Sequence, residues 1–126
     1  MRVYMLKAFA RFQRREQIPD KSLGQALRNA ERGLVDADLG GGLIKQRIAR
    51  AGQGKSGGYR TIIAYRRGDI AVFLFGFAKN EVANLDDDEL AYWQQVGRGY
   101  LSLDHEELEA AIESGDVKET DYGDED

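Results

Sequence analysis

Three consecutive glycines, Gly40 to Gly42, mark the point where the periodicity of apolar residues changes along the chain. Before them, from Asp20 to Gly33, apolar residues recur at the spacing of one helix face. After them, residues 43–49 alternate between two sets of side chains, which is the repeat of a β-strand. A chain that changes from one repeat to the other is predicted to fold as an α+β protein.

The chain before the glycines is predicted to form two helices. Residues 7–17 form the first helix, and Ile18-Pro19 interrupts it because proline disfavours helical backbone at the preceding residue. Asp20 is a suitable N-cap for the second helix, and Gly33 suits the left-handed residue that ends one. Residues 2–5 are a possible first strand, but the segment is too short for a firm assignment. We therefore expect the chain to open as a helical hairpin.

The middle of the chain is predicted to be a small antiparallel sheet. Residues 59–67 and 70–78 are rich in strand-forming residues, and the turn around Gly68 joins them as a hairpin. Helical signals return at 86–89, where carboxylates favour a helix N-terminus. The predicted fold is an N-terminal helical hairpin packed on a three- to four-stranded, mainly antiparallel sheet, followed by C-terminal helices.

The charge of the chain is divided unevenly between its two parts. Residues 1–79 contain 16 Lys and Arg against 6 Asp and Glu, a net charge of +10, whereas residues 80–126 contain 2 against 16, a net charge of −14. The first part indicates an anionic partner, and the second an acidic appendage that solvates or screens it. We predict one domain over residues 1–115 and a disordered acidic tail over 116–126. The alternative is that the charges simply follow solvated helix faces.

Several classes of protein are excluded or disfavoured by composition. The chain has no cysteine and a single histidine, His105, which excludes thiol catalysis and any site that needs two imidazoles. The Gly-Lys-Ser-Gly-Gly segment at 54–58 lacks the first glycine of a nucleotide-binding loop, since Ala49 occupies that position, and a strand rather than a helix is predicted to follow. No apolar run is long enough to span a membrane, and no leader is visible, so we expect a cytoplasmic protein without membrane association.

Cations concentrate on and beside the two predicted strands that follow the glycines. Like charges repel across a sheet unless an anion gathers them, so the pattern favours a polyanion such as a nucleic-acid backbone. The six cations are Lys45, Arg47, Arg50, Lys55, Arg60 and Arg66.

Three segments of the chain resemble the RelE/ParE toxin superfamily, and within it the HigB-like, RelE-type toxins of bacterial type II toxin–antitoxin systems. They are residues 42–49, the GKSGGYRTIIAY segment from 54 and the GFAKNE segment from 76, and the resemblance covers residues 3–118. It implies a RelE-like fold and a ribosome-dependent endoribonuclease that cuts mRNA and inhibits translation. It also implies neutralisation by a helix-turn-helix antitoxin, through which the toxin would reach operator DNA.

The resemblance also implies a set of catalytic residues that needs neither metal nor cofactor. The RNA 2′-hydroxyl would attack the adjacent phosphate and leave a 2′,3′-cyclic phosphate. Lys45, paired with Arg47, is the expected proton acceptor, because neighbouring cations favour its neutral amine. Arg60 would stabilise transition-state charge with its planar fork, and Lys79 would protonate the leaving group or hold the backbone.

Further residues are expected to bind RNA around these four. Lys55, Arg50 and Arg66 would contact phosphates, and Tyr59 and Phe77 would stack on a base unless they belong to the core. A weaker expectation concerns the first predicted helix, whose arginines would contact ribosomal RNA unless they form only a solvated face. These arginines are Arg11, Arg14 and Arg15.

Two other functions are compatible with the sequence. One is a ParE-like toxin that binds DNA gyrase and has no nuclease chemistry, against which the strand cations argue mildly. The other is a catalytically inactive relative that only binds its antitoxin.

Overall fold

The computed structural model describes residues 1–50, 54–78 and 85–120, with only the backbone for residues 50 and 54–57. Within these ranges six strands and four helices follow one another along the chain. They are β1 (Arg2–Leu6), α1 (Lys7–Glu16), α2 (Asp20–Glu31), β2 (Ala37–Gly40), β3 (Leu43–Arg50), β4 (Gly54–Arg66), β5 (Ile70–Ala78), α3 (Asp87–Leu101), α4 (His105–Glu113) and β6 (Val117–Thr120).

The strands form one mixed sheet in the order β2-β3-β4-β5-β1-β6. Strand β1 runs parallel to β5, with Val3 opposite Ala71, and all other neighbours are antiparallel. The central strands are buried from both sides, as expected for a sheet covered by helices on both faces.

The predicted fold class is therefore wrong. The chain opens with a strand and not with a helical hairpin, and its sheet has six mixed strands in place of three or four mainly antiparallel ones. The sequence pattern did not firmly assign β1 and did not reveal β2 or β6, and the partner of β1 in the sheet, β5, lies far away in the sequence. Local periodicity reports which face a residue buries, but it does not report a strand's partners.

Several local predictions are confirmed. Helices α1 and α2 begin and end close to the predicted positions, and β4 and β5 form the predicted hairpin around Gly68. Asp86 and Asp104 each accept a hydrogen bond from the backbone three residues later, at 2.8 and 2.9 Å, and both complete a capping box. The carboxylates of the acidic half thus act locally to start α3 and α4.

Two apolar layers hold the helices on the sheet. On one face, α1 and α2 pack over β3, β4 and β5, with the rings of Phe9 and Phe73 stacked 4.8 Å apart. On the other face, α3 and α4 cover a second cluster, in which Trp93 lies 4.7 Å from Phe75. We call these the α2 face and the α3 face of the sheet.

Strand β6 lies inside the segment that composition predicts to be a disordered tail. Its residues pair with β1, and Val117 is buried. Residues 121–126 lie outside the described part of the chain, and for them the tail stays a prediction. None of the helices in the described ranges is both long and apolar enough to cross a membrane.

Candidate functional site

Strand register brings three of the predicted cations onto one face of the sheet. Arg47 on β3 lies directly opposite Arg60 on β4, and Arg60 lies directly opposite Phe77 on β5. Directly opposed residues of antiparallel strands point to the same face, with β-carbons about 5 Å apart. Lys45 shares this face, since it is two residues from Arg47. We call Lys45, Arg47, Arg60 and Phe77 the basic face.

The basic face is a continuation of the α3 face beyond the part that α3 covers. Gly97 of α3 packs so closely on Leu43 and Ala64 that an added β-carbon would lie 2.8 Å from the leucine Cδ2. Lys45 follows two residues along the same side of β3, and Arg60 lies four residues before Ala64 on β4. Lys45, Arg47, Arg60 and Phe77 are half-buried. Packing of α3 therefore holds the strands that carry these side chains.

Arg60 is held by a carboxylate from outside the sheet's central strands. Its Nε lies 3.2 Å from Oδ2 of Asp36, in the connection between α2 and β2, and its side chain is only 16% exposed. Its Nη1 also donates to the carbonyl oxygen of Tyr59 at 3.3 Å. Hydrogen bonds among the described residues thus use Nε and Nη1, which leaves Nη2 to bind a phosphate oxygen.

A buried glutamine holds Asp36 in place. Gln46 on β3 is 3% exposed, and its Oε1 accepts a hydrogen bond from the Asp36 backbone N–H at 3.0 Å. Its Nε2 donates to the carbonyl oxygens of Ala26 and Leu34, each at 2.9 Å. One side chain therefore joins α2, the connection after it and β3, and it fixes the segment that carries the Arg60 counter-ion.

Sequence reasoning missed both Asp36 and Gln46. A polar residue between Ile44 and Ile48 on a buried strand face is the signal that indicates a buried glutamine with hydrogen-bond partners. No local signal reveals Asp36, because its contact with Arg60 spans 24 positions.

Several predicted site residues lie elsewhere. Tyr59 is on the α2 face, 3% exposed, where its hydroxyl donates to Glu16 Oε1 at 3.1 Å and its ring meets Phe12 edge-on. Arg66 is the last residue of β4, where Nη1 is 2.7 Å from Oδ2 of Asp69 and Nη2 donates to the Leu101 carbonyl oxygen. Neither residue joins the basic face.

The α1 arginines are exposed on the helix layer that covers the α2 face. Nε of Arg15 lies 3.3 Å from Oε2 of Glu16, and the Arg15 guanidinium lies over the Phe12 ring. Arg11, Arg14 and Arg15 are therefore separated from the basic face by the thickness of the sheet. Lys79 and the side chains of Arg50 and Lys55 lie outside the described part of the chain.

The basic face combines cations with an aromatic ring. Three cations converge within two strands, and a partly exposed aromatic ring lies beside Arg60. Such a group can hold a phosphodiester, offset the extra negative charge of a pentavalent phosphorane and support a base.

Comparison with protein-family models finds a match over most of the chain. The family model described as "RelE toxin of RelE / RelB toxin-antitoxin system" matches residues 1–120. The chain belongs to the RelE toxin family, and it is a RelE-type toxin of a toxin–antitoxin system, which implies an antitoxin partner. The family generally has endoribonuclease activity. A search of curated proteins finds no match.

Proposed function

We propose that this toxin is a ribosome-dependent, metal-independent mRNA endoribonuclease that inhibits translation in the cytoplasm. The observation that carries the proposal is the convergence of Lys45, Arg47 and Arg60 on one sheet face. A HigB-like relationship and a helix-turn-helix antitoxin that carries the toxin to operator DNA belong to the same proposal.

In this proposal the substrate supplies its own nucleophile. Lys45 accepts the proton of the 2′-hydroxyl, and the attacking oxygen forms a 2′,3′-cyclic phosphate as the bond to the 5′-oxygen breaks. Arg47 and Arg60 hold the non-bridging oxygens, whose negative charge increases in the transition state. Lys79 would deliver a proton to the leaving 5′-oxygen.

The Asp36 contact supports the role of Arg60. An arginine side chain has several rotatable bonds, so an unrestrained guanidinium loses entropy when it binds phosphate. Bonds at Nε and Nη1 orient the planar group before substrate arrives, which favours catalysis by preorganised charge.

The test is to incubate the purified toxin with a defined mRNA, with and without programmed ribosomes, and to map the new ends. We expect cleavage only on ribosomes, with 2′,3′-cyclic phosphate at the new 3′ ends and no effect of a chelator. Intact mRNA together with gyrase-dependent DNA breaks would instead establish the ParE-like alternative. Intact mRNA with antitoxin binding alone would identify an inactive relative.

A further inference from the structure

A second basic feature lies at the edge of the sheet, away from the residues used above except for Arg47. A groove of about 350 Å³ runs between α2 and β3. Three of its lining residues are cations, Lys21, Arg28 and Arg47, and no carboxylate is among them. The rest of the lining is small or neutral and polar, including Gln25 and Asn29.

The groove forms because two edge elements cover different lengths of β3. Strand β2 pairs with β3 only as far as Lys45, whereas β3 continues to Arg50. Beyond that point α2 is the described neighbour at this edge, and Gln46 ties it to the strand through the Ala26 carbonyl oxygen. The gap between helix and strand is left open toward Arg47 and Ala49.

Lys21 and Arg28 bring positive charge to this groove. Within the described ranges neither Lys21 nor Arg28 belongs to an ion pair. Arg28 instead donates to the neutral amide oxygen of Gln25 at 3.4 Å, and Gln25 donates to Asn29 at 3.0 Å. A concave surface with one sign of charge concentrates ions of the opposite sign.

The groove continues the basic face, since Arg47 belongs to both. We propose that it binds an RNA backbone phosphate next to the linkage held by Lys45, Arg47 and Arg60, with Lys21 and Arg28 as its ligands. This inference rests on the proposed function. The phosphate belongs either to the mRNA strand that is cut or to ribosomal RNA beside it, and both sources present the same anion.

The first experiment measures equilibrium binding of the toxin to programmed ribosomes over a range of salt, together with cleavage. We expect Lys21→Ala and Arg28→Ala each to weaken binding severalfold and to reduce the slope of log affinity against log salt by about 1. The loss of activity should fall on KM more than on kcat, because neither residue touches the scissile phosphate. Arg32→Ala is the matched control, since Arg32 is exposed just after α2 and does not line the groove.

Lys21→Ala and Arg28→Ala variants that match Arg32→Ala in both affinity and salt slope would overturn the inference. A purely structural role would change thermal stability and leave the salt slope unchanged. Wild-type toxin that binds ribosomes but leaves mRNA intact would refute the proposed function. The salt-slope comparison would still show whether Lys21 and Arg28 bind phosphate.

A second arm separates the two sources of phosphate. Neutral methylphosphonate linkages are placed one at a time beside the cleavage site of the mRNA. If the groove binds mRNA, one of these linkages should weaken binding of the wild-type toxin as much as Lys21→Ala does. The same linkage should not weaken binding of the Lys21→Ala variant any further. If it holds ribosomal RNA, no linkage has this effect, and the variant loses affinity for ribosomes without mRNA.

Discussion

Two arginines of β4, Arg60 in the middle of the strand and Arg66 at its end, are each paired with an aspartate, and the two pairs differ in almost every other respect. Arg66 meets Asp69 three residues away, and its side chain is 52% exposed. Arg60 meets Asp36 across 24 positions, and its side chain is 16% exposed. Both arginines lie on the same side of the strand, since six residues separate them. The same pair of residue types thus stabilises a turn at the end of β4 and forms part of the candidate site in the middle of the strand.

The turn end is fixed to helices on both sides of the sheet. Glu31 at the end of α2 accepts hydrogen bonds from the Tyr65 hydroxyl and from the Gly68 backbone N–H. Burial, together with the Glu31 carboxylate, raises the pKa of Tyr65. Arg66 reaches the Leu101 carbonyl at the end of α3. All these contacts stabilise the hairpin, so Arg66 is a structural residue.

The largest expected effect separates the two arginines by activity. Arg60→Ala should reduce ribosome-dependent cleavage about 10²–10³-fold, the usual loss when one preorganised charge-stabilising donor is removed. Arg66→Ala is the matched control and should stay within about threefold. Arg60→Lys should restore little, because an ammonium lacks the planar fork. Equal losses for the two alanine variants would mean that position along β4 does not define the site.

The next effect concerns stability and Gln46, which holds Asp36 beside Arg60 and has no counterpart at the Arg66 pair within the described residues. Gln46→Leu leaves the Asp36 N–H and two carbonyl oxygens without their partner, so we expect a loss of about 2–4 kcal/mol in the free energy of unfolding. Thr61→Val is the control, since Thr61 is opposite Gln46, is buried and donates one hydrogen bond, to the Phe75 carbonyl oxygen. Chemical denaturation should show a clearly smaller loss for the threonine variant. Equal losses in the free energy of unfolding for Gln46→Leu and Thr61→Val would contradict the role of Gln46 in holding Asp36.

A smaller effect tests the counter-ion itself. Asp36→Asn keeps the size of the side chain but removes its charge, so Arg60 should be less well oriented and kcat should fall about tenfold with little change in thermal stability. Asp36→Glu should recover part of the loss, and Asp69→Asn should leave cleavage unchanged. Faster cleavage by Asp36→Asn would contradict a positioning role, because it would mean that Asp36 competes with the substrate for Arg60.

The smallest effect lies at the turn end and depends on pH. Hydrogen bonds from Arg66 and Arg2 lower the pKa of Asp69 below its ordinary 3.8. A lowered pKa contributes stability above the ordinary value, and the contribution is lost as pH falls through the lower, folded-state value. Asp69→Asn should therefore cost at most about 1 kcal/mol at neutral pH, since the pair is exposed, and progressively less as the pH falls below the ordinary pKa of 3.8. A loss that persists in acid would show that the carboxylate charge is not its cause.

Local sequence signals predicted much of this molecule because their physical causes are local. Proline ends α1, carboxylates cap α3 and α4, and Gly68 permits the hairpin turn with a positive φ of 74°. Alternation along β3 also places Lys45 and Arg47 on one side of the strand, whatever the partner strand is.

The arrangement of the site required information that these signals do not contain. The opposition of Arg47 and Arg60 depends on the register between β3 and β4. The counter-ion Asp36 arrives from a connection without a strong pattern, and the buried amide of Gln46 fixes it there. Both contacts form only when α2 has packed on the sheet.

The amino-acid sequence by itself determined the local elements, the sides of the strands that carry cations and the kinship with RelE toxins. Only the tertiary structure decided that β1 lies parallel to β5, that β6 is an edge strand paired with β1 and that Asp36 pairs with Arg60. The reason is physical. Helix caps and strand alternation arise from neighbours in the chain, whereas strand pairing and ion pairing between distant segments are chosen by the burial of the whole core.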